Sequence, residues 1–299
     1  MSEVLRTPEE RFGKLPGFEY DARYLQWRDL RIHYLDERPA GAESPKQTFL
    51  CLHGEPTWSY LYRKMIPPFL ASGARVVAPD LPGFGRSDKP ADDAVYTFDF
   101  HRAALLEFVE RLDLREITLV VQDWGGLLGL TLPMEAPERY ARLLVMNTTL
   151  GTGDTPLTEG FLAWRAFVAK SPNPDCAKLL ARACPMLSAA EAAAYEAPFP
   201  DAAYKSGVRR FPQLVPDAPD APGAEVSRRA RDWWRNSWRG DAFMAIGAAD
   251  PVLGLAPMRA LHAHIRGCAE PWIHEQAGHF VQEWGGDVAR AALAHWRAA

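Results

Sequence analysis

The chain has 299 residues, of which 47% are hydrophobic and 24% charged, with a formal net charge of −4. That length can bury a sizeable core in one large domain or two small ones. The mildly acidic balance gives nucleic acid or an anionic membrane surface no electrostatic reason to bind.

In chain order, "YLQWRDLRIHYLDE" predicts a β-hairpin. "QTFLCLHGEP", "ARVVAPDLPGFG", "EITLVVQDWGG", "RLLVMNTT", "AFMAIGAAD" and "PWIHEQAGHF" each predict a central strand that ends in a polar or glycine-rich loop. Helical patterns over 58–70, 99–112, 125–136, 256–266 and 280–298 separate them. This alternation predicts an α/β fold, a mostly parallel sheet with helices on both faces. His53, Asp80, Asp123, Asn147, Asp250 and His279 each follow a strand, at the carboxyl edge where open α/β sheets place their ligands. Between about 148 and 218 the alternation stops, and helical pieces broken by prolines from Pro156 to Pro216 predict an inserted lid over that edge. The expected organisation is a main domain of 1–147 and 219–299 with a helical lid of 148–218.

No run approaches the ~18 uninterrupted apolar residues of a membrane span. The N-terminal "MSEVLRTPEERFGKLPG" has no apolar centre of the kind a signal peptide carries. The cytoplasm is the default compartment. Cys51, Cys176, Cys184 and Cys268 form no C-x-x-C pair, so free thiols are expected rather than a metal site.

Residues 119–130, "LVVQDWGGLLGL", read as a buried strand, a sharp turn and a helix. In the elbow pattern G-x-nucleophile-x-G such a turn exposes one side chain above the sheet, and the following helix aims its N–H groups and positive dipole end there. Asp123 stands at the nucleophile position and Gly125 two residues on, while Val121 replaces the first glycine. Asp123 as a plain helix N-cap is the competing reading. A carboxylate needs no base to displace a leaving group from an sp³ carbon. The alkyl ester it forms can be hydrolysed if a histidine activates water. A serine there would form an ether that could not be cleaved in this way.

His279 in "EQAGHFVQEW" is the candidate base, standing between the last strand and the last helix. Asp250 in "AIGAADPVLG" can orient it and stabilise its charged form, or simply belong to an Asp-Pro turn. Asn147, at the other position open to the acid, cannot carry the charge. "LHGEPTWSY" can present the Glu55 backbone N–H opposite that of Trp124 as an oxyanion hole, with His53 as a loop anchor. The Trp124 indole donates without accepting and suits a halide. "TEGFLAWRAFVAK" places Phe161, Trp164 and Phe167 or Val168 on one helical side, so Trp164 either enters the pocket or packs within the lid.

These motifs, with "APDLPGFGRSDKP", "AYEAPFPD" and "SGVRRFP", resemble the haloalkane dehalogenases of the α/β-hydrolase superfamily over nearly the whole chain. The resemblance is to the branch with its second halide-binding tryptophan in the lid; a sister branch has Asn where Glu55 stands. It implies Asp123 as nucleophile, His279 as base, Asp250 as its acid partner and Trp124 with Trp164 as halide ligands. It also implies a substrate pocket of Leu127, Phe161, Phe211, Pro212, Val215, Val252 and Leu253. The expected reaction takes a haloalkane and water to a primary alcohol, a halide ion and a proton. It needs no metal or organic cofactor, no nucleic acid and no membrane, and a monomer is expected. An epoxide hydrolase of the same fold is the alternative, with Tyr195 and Tyr204 available in the lid.

Overall fold

The predicted hairpin forms β1 (Arg23–Trp27) and β2 (Leu30–Glu37), paired antiparallel. Six further strands of the same sheet follow: β3 (Thr48–Leu52), β4 (Arg75–Pro79), β5 (Ile117–Val121), β6 (Tyr140–Met146), β7 (Asp241–Gly247) and β8 (Trp272–His274). In space the sheet runs β8-β7-β6-β5-β3-β4-β2-β1, and from β8 to β4 every neighbour is parallel. This computed structural model describes residues 3–39, 41 and 45–298; residues 1, 2, 40, 42–44 and 299 of the expected main domain lie outside that range.

Both faces of the sheet are covered, which explains the near-continuous apolar runs of β3 and β5. Leu50, Leu52, Leu119 and Val121 face one core with α2 (Phe98–Arg111) and α3 (Trp124–Gly129). Phe49, Cys51 and Val120 face the other, with α1 (Ile66–Ala71) and α10 (Gly285–Ala298). The two-residue period of a strand thus divides single segments between two hydrophobic layers.

Several helices are shorter than their apolar patterns suggest. α3 stops at Gly129 rather than 136, and Leu130, Leu132 and Pro133 continue as buried turns. Pro133 has no N–H to offer and disfavours helix at the residue before it. The expected 58–70 helix divides into a 3-10 turn, Ser59–Tyr62, and α1, whose first turn holds the proline pair. α9 (Leu255–His262) ends before 266, and a 3-10 turn, Val281–Trp284, precedes α10.

Between β6 and β7 come only helices among the described residues: α4 (Glu159–Ala169), α5 (Cys176–Ala183), α6 (Ala189–Glu196), α7 (Ser206–Leu214) and α8 (Ala224–Asn236). Ser188 starts α6 with a full capping box, each partner closing a free N–H of the other. A buried cluster ties α6 to the body: Arg63 holds Glu283 at 2.7 and 2.9 Å and Glu191 at 3.0 Å, and the Tyr195 hydroxyl donates to Glu283. No described helix is long and apolar enough to cross a membrane.

Candidate active site

The strand–turn–helix around Asp123 is closely packed. Every residue from 117 to 133 is buried except Asp123 itself. Asp123 adopts φ 51°, ψ −128°, a conformation that costs about 1–3 kcal/mol and persists only where its surroundings enforce it. Its carboxylate makes no N-cap bond to α3. Instead Oδ1 accepts the Glu55 backbone N–H at 2.7 Å. Two glycines make this approach possible: a Cβ on Gly54 would lie 2.1 Å from Asp123 Oδ1, and one on Gly125 would lie 2.0 Å from the Leu52 carbonyl oxygen. Val121, where the elbow pattern has its first glycine, is accommodated from the other side. A Cβ on Gly129 would stand 2.8 Å from the Val121 Cγ1.

His279 arrives from the loop after β8. Its Nδ1 lies 2.8 Å from Asp250 Oδ2, and its Nε2 lies 3.4 Å from Asp123 Oδ2. The side chains of Asp123 and His279 are 16% and 17% exposed while that of Asp250 is at 0%, so only the first two can meet a substrate. Asp250 also accepts from the Asn147 amide at 2.9 Å and from the Val252 N–H at 2.8 Å. Burial alone would raise its pKa, but His279, Asn147 and Val252 outweigh that and hold it below the usual value. Burial alone would lower the His279 pKa, but Asp250 and then Asp123 outweigh it and bring it to about 10. Gln122 pulls the other way: its amide nitrogen lies 3.0 Å from His279 Nε2 and donates to the His279 carbonyl at 3.0 Å, which suits a neutral ring.

Asn147 and Gln122 were not legible as parts of this arrangement. Asn147 could be rejected as the acid, but its own role shows only in space. Its amide bonds the N–H and C=O of Gly247 at 2.8 and 3.0 Å, joining the ends of β6 and β7 beneath Asp250. His53 behaves as the expected anchor: Nε2 accepts the Leu81 N–H at 2.9 Å, so Nδ1 carries the proton and donates to the Gly54 carbonyl.

A cavity of about 330 Å³ opens over the elbow, lined by Asp123, Trp124, Leu127, Phe161, Val215 and Leu253. Its far end reaches Arg231 and His264. Phe211, Pro212 and Val252 are not in this lining. Phe211 is fully buried against the Trp124 ring, with centroids 4.6 Å apart. Pro212 is buried within α7 and gives its carbonyl to Arg165, while Val252 is committed through its backbone to Asp250 and Thr158. Along α4, Phe161 faces the cavity, Val168 is buried and Phe167 is 48% exposed. The Trp164 ring is half-buried, stacks with Phe167 at 5.7 Å and lies near enough to the Glu55 carboxyl to favour its charged form.

The alpha/beta hydrolase fold family matches residues 47–286. The chain is 45% identical over 300 residues to a haloalkane dehalogenase of Psychrobacter cryohalolentis, covering 97% of each sequence. It is 43% identical over 305 residues to one of Mycolicibacterium paratuberculosis, covering 99% of each. The tetrameric structure of the haloalkane dehalogenase DpaA from Paraglaciecola agarilytica matches with a TM-score of 0.94 at 52% identity, over 98% of both chains.

Proposed function

The chain belongs to the haloalkane dehalogenases of the α/β-hydrolase superfamily, and from that premise we propose that Asp123, His279 and Asp250 carry the reaction while Trp124 and Trp164 hold the leaving halide. The observation that carries this assignment is the division of labour between the two Asp123 oxygens. Oδ1 accepts the Glu55 N–H and Oδ2 faces His279. Oδ2 attacks the carbon bearing the halogen, and the halide leaves with the bonding pair. Oδ1 becomes the ester carbonyl oxygen, already seated on the Glu55 N–H. The Trp124 amide, in the first turn of α3 where N–H groups have no intrahelical acceptor, supplies the second donor.

Alkylation also prepares the second step. Esterified Asp123 no longer has the charge that helps hold His279 near pKa 10. Burial and the Gln122 donor then favour the neutral ring, which takes a proton from water as the oxygen attacks the ester carbon. The alcohol departs as the carboxylate reforms, and His279 later gives its proton to solvent. Asp250 stabilises the imidazolium between these events. The substrate is a small haloalkane and the product a primary alcohol, held among Leu127, Phe161, Val215 and Leu253.

Epoxide hydrolysis is not favoured. Tyr195 is buried in the cluster with Glu283 and Arg63, and neither it nor Tyr204 lines the cavity. The proposal keeps the two-part organisation with a lid of 148–218, a cytoplasmic site of action and the single chain as the working unit. The Paraglaciecola relative is a tetramer, and sedimentation velocity decides between the two states here.

The two-step scheme is tested with the His279→Gln protein and a brominated alkane. Intact-mass spectra should show one added alkyl group, and none in Asp123→Ala/His279→Gln. A folded, bromide-binding His279→Gln protein that gains no mass would sink the scheme.

A further inference from the structure

Glu55 does more in this structure than lend its backbone N–H. The residue is 5% exposed, buried beside the nucleophile. The Trp164 indole faces the carboxyl, and Oε1 is buried with no partner among the described residues. The charged or titratable groups that face it are Asp123 from the elbow, His279 from the loop after β8 and Cys176 from the start of α5. Three acids, Asp123, Asp250 and Glu55, therefore gather around one base, and among the described residues no lysine or arginine pairs with Glu55 to balance the third. Two carboxylates in a desolvated pocket do not both ionise without a counter-charge. Asp123 has the Glu55 N–H and His279 to stabilise its charge; Glu55 has one indole.

We propose that Glu55 works as a neutral carboxylic acid, a positioning residue that holds the facing lid indole of Trp164 and keeps a hydroxyl donor beside the nucleophile. Neutrality matters because the Trp164 N–H is a single donor, and it serves either Glu55 or a halide. An ionised carboxylate is a far stronger acceptor than a neutral acid. It would retain the indole and repel the departing halide. The neutral acid releases the indole at low cost and adds no negative charge to a pocket that must hold Asp123 and then a halide. Burial and the adjacent Asp123 both raise the Glu55 pKa well above its usual value, in the direction this role needs.

The inference rests on the halide-site reading for its release step, but protonation itself can be measured separately. An infrared difference spectrum of wild type minus Glu55→Gln at pH 7 should contain the carbonyl band of a protonated carboxyl. A carboxylate pair in its place overturns the proposal. If Glu55→Gln does not fold, Trp164→Phe provides the check, because losing the indole partner shifts that band in an otherwise intact protein. Release is read by bromide quenching of tryptophan fluorescence against pH in the His279→Gln protein, where the base no longer titrates. Bromide affinity should fall at least about 10-fold, equivalent to ~1.4 kcal/mol, as the pH is raised through the Glu55 ionisation. In Glu55→Gln/His279→Gln it should stay flat. The same alkaline loss in the double variant would overturn the release step. Bromide that binds at no pH would instead overturn the halide site and the release step with it, and the infrared band would still decide protonation.

Discussion

The elbow and the lid helix above it are built on opposite terms. Around Asp123, the seventeen consecutive positions from 117 to 133 are buried apart from Asp123 itself, and the Asp123 side chain and the Leu52 carbonyl leave no space for a Cβ at Gly54 or Gly125. In α4 only Val168 is buried, while Leu162 and Phe167 are 47% and 48% exposed. α4 is held at particular points: Thr158 caps it and donates to the Val252 carbonyl at 3.3 Å, and Arg165 donates to the carbonyls of Pro212 and Val215 at 2.9 and 2.8 Å. The proposed bond-making chemistry thus occupies a part of the molecule where position is enforced by packing. The indole assigned to the halide occupies a part where few contacts resist movement.

The largest effect is expected where the packing is tightest. Gly125→Ala drives a methyl into the Leu52 carbonyl, so urea unfolding should show a loss of about 3 kcal/mol. A displaced elbow should also reduce kcat by on the order of 10²-fold. Unchanged stability and turnover would mean that the elbow is not rigid. Trp164→Phe is intermediate: losing one donor to a charged ligand is worth about 1.5–3 kcal/mol. Bromide affinity should therefore fall while unfolding barely changes, and a large loss of stability would make Trp164 a packing residue. Leu162→Gln, on the exposed face of α4, is the smallest. Its unfolding free energy should stay within about 0.5 kcal/mol of wild type, and a larger change would show that this face is covered.

The same contrast explains what the sequence made legible. Strands with both faces buried read as apolar runs, and the polar residues that end them (Asp123, Asp250 and His279) converge because a parallel sheet brings its carboxyl ends to one edge. The helices were overextended where buried apolar turns mimic their period, as at Leu130 to Pro133. Gln122 and Asn147 were hidden for another reason. A neutral amide after a strand has no distinguishing spacing, and its value lies in partners 157 and 103 residues away in the chain. Phe211 was placed in the pocket by resemblance, yet it is buried against the Trp124 ring and does not line the cavity.

The backbone at Asp123 has one last consequence. At φ 51°, ψ −128° Asp123 is held by the Glu55 N–H on Oδ1, by its N–H on the Asn147 carbonyl and by the packed residues on either side. The strain is opposed by that contiguous buried block, so the block is expected to melt as a unit with the aim of Asp123. Correct aim and native folding are therefore a single equilibrium at this position. As temperature rises, the population of competent nucleophile falls with the population of folded protein and not ahead of it.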